Sequence, residues 1–119
     1  MAKVIPMYND MIVKWLAKIT DEDYLPDDIS ESDKVCIAAG SDMNQVVITM
    51  ARKHVYFSVV GSPYLMAMTK WLQQQLIKED IVTLKQQTIS TLVDQFHLPS
   101  YKRQDALLIL SLIEQINAT

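Results

Sequence analysis

Residues 34–64, KVCIAAGSDMNQVVITMARKHVYFSVVGSPY, decide the fold. They hold three short runs rich in β-branched residues, at 34–39, 45–50 and 54–60. Such side chains are stiff about χ1 and pack well on a pleated surface. The connections Gly40-Ser41-Asp42-Met43-Asn44 and Ala51-Arg52-Lys53 are short enough for hairpins, so an antiparallel three-stranded meander is expected. In the third run Val55, Phe57 and Val59 alternate with Tyr56, Ser58 and Val60, which implies one strongly buried face. Cys36, between Val35 and Ile37, stands where a small buried hydrophobe is expected, with an inert thiol.

On the N-terminal side, Asn9 can cap a helix carrying Met11, Ile12, Trp15, Leu16 and Ile19 on one face. An acidic segment follows, residues 20–33, with Asp21, Glu22, Asp23, Asp27, Asp28, Glu31 and Asp33 and no basic residue among them. Self-repulsion and Pro26 favour an exposed, extended and flexible segment, either a solvated linker or a docking loop for a basic partner. On the C-terminal side everything after Gly61 reads helical. Ser62 is a good N-cap and Pro63 suits the first helical position. Leu65, Met68, Leu72 and Leu76 make a stripe with Tyr64 and Trp71 beside it. A short helix over 81–84 is expected, then a helix capped by Thr88 that runs through Leu92, Val93 and Phe96 and stops at Leu98-Pro99. The last helix, from Ala106 to beyond Ile116, is apolar on nearly all sides, as suits burial by the sheet or by a second subunit. Helix, three strands, then helices gives a single α+β domain with the helical half packed on one face of the sheet.

The whole chain has 119 residues, half of them apolar, and a formal net charge of −3. That suits one domain with a real core and excludes wholesale disorder. The lone cysteine permits no internal disulfide and no Cys-rich zinc site. Lys102-Arg103 and Arg52-Lys53 are isolated pairs, so nucleic-acid binding is not expected. No apolar run reaches the ~18–20 residues of a membrane span. The start, Met1-Ala2-Lys3-Val4-Ile5-Pro6, lacks a signal-peptide hydrophobic stretch, so a cytoplasmic protein is expected. There is no Gly-rich phosphate loop, no HExxH and no nucleophile elbow. His54 and His97 stand alone and are read as structural or exposed, and Ser62 as a capping serine at a strand–helix junction. The chain is therefore read as no enzyme.

Two stretches carry a family resemblance. Phe57-Ser58-Val59-Val60-Gly61-Ser62-Pro63-Tyr64 looks like a strand running into Gly-Cys and a helix. Leu98-Pro99-Ser100-Tyr101-Lys102-Arg103-Gln104-Asp105-Ala106 looks like a Leu-Pro-x-x-Lys stretch followed by Cys and a buried terminal helix. With the order of elements, these make the chain resemble the NifU/IscU-type scaffolds of iron–sulfur cluster assembly, whose fold is shared with the SufE sulfur acceptors. The resemblance runs from about Asp33 onward. It sets the family's three cluster cysteines on Gly40, Ser62 and Asp105 and its neighbouring histidine on Gln104, while the aspartate of its first motif is matched by Asp42.

Glycine, serine and aspartate supply no thiolate, and clusters need soft ligands. No cofactor is therefore expected, and Asp42, Ser62 and Asp105 make too incomplete a set for a hard cation. The resemblance implies two partners, a cysteine desulfurase at the ligand-bearing end and an Hsp70-type chaperone at Leu98, Pro99 and Lys102. The expectation is a non-catalytic adaptor or regulator beside iron–sulfur assembly. The alternatives are a working iron–sulfur or sulfur-transfer scaffold that uses Cys36, and a homodimer with an unrelated partner.

Overall fold

The computed structural model describes residues 8–29 and 34–117. Asn9 accepts a hydrogen bond from the Ile12 N–H and starts α1 (Asp10–Leu16), whose Ile12 and Trp15 are buried. The meander follows as β1 (Lys34–Ser41), β2 (Asn44–Ala51) and β3 (His54–Val60), in that order across the sheet. Both β1–β2 and β2–β3 pair antiparallel, with Ile37 opposite Ile48 and Ile48 opposite Phe57. Expected five- and three-residue connections shrink to two-residue turns, because Ser41 pairs with Asn44 and Ala51 with His54. In the second turn Arg52 and Lys53 have φ of 52° and 68°, the positive values of a type I′ hairpin.

The register puts Ile37, Ala39, Val46, Ile48, Val55, Phe57 and Val59 on one face. Helix α2 (Pro63–Lys78) packs on that face over β3, and α5 (Arg103–Asn117) packs over β1. Leu65, Met68, Leu72, Ile109 and Leu112 are completely buried between them. Full burial of such a side chain contributes about 1.5–3 kcal/mol, so this layer dominates the stability. α3 (Ile81–Lys85) and α4 (Ile89–Phe96) close the helical layer against α5, and Thr88 caps α4 as the sequence predicts. The α+β class, three-stranded antiparallel sheet and helical C-terminal half are as the sequence predicts.

Two expectations are corrected. Cys36 is exposed, because β1 is an edge strand and the register turns Cys36 to the outer face, opposite Thr49. Its sulfur lies 3.4 Å from the Thr49 hydroxyl. The acidic segment is not simply solvated. Thr20 and Asp23 form a capping box around a 3-10 turn at Asp21–Asp23, and the Asp23 carboxylate is buried against α2. The acidic residues Glu31 and Asp33 lie outside the described residues.

Lys70 donates to both Asp23 oxygens at 2.9 Å and to Gln73 Oε1 at 2.7 Å. Gln73 Nε2 donates to Asp23 Oδ1 at 3.0 Å and to the Val55 carbonyl at 2.8 Å. Burial works to raise the Asp23 pKa. The hydrogen bonds from Gln73, the Thr20 N–H and Lys70, with the Lys70 charge, outweigh it and hold the carboxyl below its ordinary value. Beyond this anchor Tyr24 rests on Phe57, and Tyr24 and Leu25 share a cavity of about 430 Å³ with Cys36, Val47, Thr49 and Tyr56 on the outer face.

Candidate functional site

One end of the molecule gathers most of the positions that the resemblance singles out. Gly61 has φ of 156° and carries the chain from β3 into α2. A Cβ there would lie 2.9 Å from Leu65 and 3.2 Å from the Asn44 side-chain oxygen, so the start of α2 abuts the β1–β2 turn. Ser62 caps α2 by accepting from the Leu65 N–H at 3.3 Å, and its own O–H donates to Asp105 Oδ2 at 2.8 Å. Asp105 is the third residue of α5 and is buried, which places its carboxylate where that helix's dipole favours negative charge. The N-termini of α2 and α5 thus meet through one hydroxyl–carboxylate contact that closes a 43-residue separation.

The remaining positions fall out differently. Gln104 is exposed beside Asp105. Asp42 is exposed on the β1–β2 turn with φ of 50°. Gly40 has φ of 86°, and a Cβ there would fall 2.0 Å from the Asn44 carbonyl oxygen. No side chain fits at that position while the backbone keeps this course. Among the described residues no group of three or more His, Cys, Asp or Glu side chains could hold a metal ion. The donors that do converge, a hydroxyl and a carboxylate, are hard oxygen donors and do not fit an iron–sulfur cluster.

Three tyrosines cluster at the first turn of α2, just after Ser62. Tyr8 meets Tyr64 edge-on at 5.2 Å, and Tyr101 sits beside the Tyr64 phenol. Burial, then the neighbouring Tyr101 and Tyr8, push the Tyr64 phenol above its ordinary pKa. Tyr101 itself is 75% exposed in the 3-10 turn Ser100–Lys102, and Met43 on the β1–β2 turn is 78% exposed. Large side chains on the β1–β2 turn and on the 3-10 turn before α5 are therefore open to solvent.

The Leu98–Lys102 stretch is only partly available at the surface. Leu98 belongs to the hydrophobic core, whereas Pro99 and Lys102 are half-buried. His97 ends α4 in the left-handed conformation and is exposed, as is His54.

Sequence reasoning missed the Asp23–Lys70–Gln73 cluster. Its signal was present in Lys70 and Gln73, which stand one helical turn apart and flank the apolar pair Trp71-Leu72, a placement that calls for a polar partner if that face is buried. No helix among the described residues is long and apolar enough to cross a membrane. No family model matches the chain, and neither a curated protein nor a solved structure does.

Proposed function

We propose that the chain is a NifU/IscU-like domain that has the frame of a cluster scaffold without its ligands. It acts in the cytoplasm by protein–protein contact, as a non-catalytic adaptor or regulator beside iron–sulfur cluster assembly. The observation that carries this reading is the Ser62–Asp105 contact at 2.8 Å. The resemblance sets both residues on ligand positions of the family, and the fold brings them side by side at two helix N-termini with only oxygen to offer. The crowded backbone at Gly40 supports the same reading, since it leaves no room for a ligand side chain there.

The contact face is the end that carries these positions, where Met43, Val60 and Tyr101 expose apolar surface. Exposed apolar side chains suit association better than chemistry. The partners to test are a cysteine desulfurase and an Hsp70-type chaperone. Pull-downs with each should retain the wild-type chain and lose a Met43→Asp/Tyr101→Asp double variant. Failure of both partners to bind sinks this reading. Anaerobic incubation with iron and sulfide should give no cluster absorbance. An absorbance that disappears in Cys36→Ser would favour a scaffold built on that thiol instead.

A further inference from the structure

At the opposite end of β2 and β3 lies a cleft of about 640 Å³, between the Arg52-Lys53 turn and the C-terminal end of α2. That volume is within the range of about 300–1,000 Å³ typical of small-ligand sites. Its apolar lining is aliphatic, from Met50, Val55, Leu76 and Ile77. Arg52 and Lys53 stand at one side, and neither makes an ion pair with the described residues. Five described non-glycine residues have positive φ, and three of them (Arg52, Lys53 and Glu79) line this cleft. Asn-Gly would satisfy the turn without strain, yet two long cations occupy it. Backbone strain of this kind concentrates at ligand sites, where surrounding structure holds it in place.

We infer that this cleft binds a monomeric amphiphile with one anionic head and an aliphatic tail, such as a medium-chain carboxylate. The head sits at Arg52 and Lys53, where two cations can share a carboxylate. The tail lies along Met50, Val55, Leu76 and Ile77, whose flexible aliphatic surfaces suit an alkyl chain. Glu79 and the negative end of the α2 dipole stand at the other side and disfavour a second acidic group there. The ligand is therefore acidic at one end only. This inference is independent of the adaptor reading, because the cleft shares no residue with the Ser62–Asp105 end.

The test is an amide-resonance NMR titration of the full chain with decanoate, kept below the concentration at which it forms micelles. Saturable shifts are expected at residues 50–55 and 76–79. Affinity should fall at least ten-fold for acetate, which lacks the tail, for decanol, which lacks the charge, and for sebacate, which adds a second one. Arg52→Asn/Lys53→Gly installs the residues a type I′ turn prefers, so it should fold and lose at least ten-fold in decanoate affinity. Ile77→Asp, at a half-exposed position, should do the same from the tail side. No saturable shift, equal binding of decanol, or undiminished binding to the Asn-Gly variant each overturns the inference. Charge-dependent binding to phosphatidylglycerol vesicles with no response to monomeric decanoate would overturn it too, in favour of a membrane-facing basic corner.

Discussion

Ser62 shows how much one side chain can be asked to do. Its oxygen accepts from the Leu65 N–H as a helix cap while its proton satisfies a buried Asp105 oxygen. Ser62→Ala should destabilise the protein by about 2–5 kcal/mol, the sum of a lost cap and a lost hydrogen bond to a charged group. Asp105→Ala removes only the second interaction. A double-mutant cycle read by urea denaturation should therefore return a coupling of about 1 kcal/mol or more. The capping role was legible from Ser62-Pro63 alone, because a helix start is a local event. Its bond to Asp105 was not, since nothing local to either residue specifies a partner 43 positions away. Only the resemblance set the two on related positions. Cys36 went wrong for a related reason: alternation finds two faces of a strand, but which face is covered depends on strand order. As an exposed thiol it should react with a disulfide reagent in the native state, to one equivalent per chain and without denaturant. Protection until unfolding would contradict the placement of β1.

Among the elements, the acidic segment is the most instructive. Its charge pattern reads as solvated, and for Asp21 and Glu22 it is, since both are exposed. Asp23 is different because Lys70 and Gln73 on α2 provide a buried receptor for it. The two lie 47 and 50 residues away in sequence, so composition could not reveal them. Because the folded Asp23 carboxyl is held below its ordinary pKa, it stabilises the fold above the unfolded value of about 3.9. That contribution drains away as pH falls below this value toward the folded one. Asp80, held down first by hydrogen bonds from the Thr83 hydroxyl and N–H, acts with the same sign. Urea midpoints measured between pH 7 and pH 3 should therefore drop steeply below about pH 4. In Asp23→Asn the drop should be shallower, with Asp80 supplying the remainder. The same variant leaves the Lys70 ammonium buried without its counter-charge, at a cost of about 3–5 kcal/mol at neutral pH. Adding Lys70→Met should recover most of that loss, and failure to recover would show that the cluster does more than satisfy itself.

For the molecule as a whole, the sequence-level signals of strand period, short connections and helix caps agree, and the α+β architecture follows from them, although the Arg52-Lys53 turn departs from the residues its type prefers. What no period encodes is how the margins of the sheet are finished. Gln73 from α2 donates its amide to the Val55 carbonyl on β3, and Gln115 from α5 donates to the Ala38 carbonyl on β1, each at 2.8 Å. The two outer strands thus each have a main-chain acceptor occupied by a glutamine reaching out from the helical layer. A three-stranded sheet with free rims is a template on which further chains can add, and in the extreme it seeds fibres. Each amide occupies one of the acceptors that an added strand would need. Gln115→Ala should change equilibrium stability by about 1 kcal/mol or less. It should nevertheless shorten the lag before light scattering rises in a concentrated sample. An unchanged lag would mean that the bulk of α5 beside β1 protects that rim without the amide, and that the protection is steric.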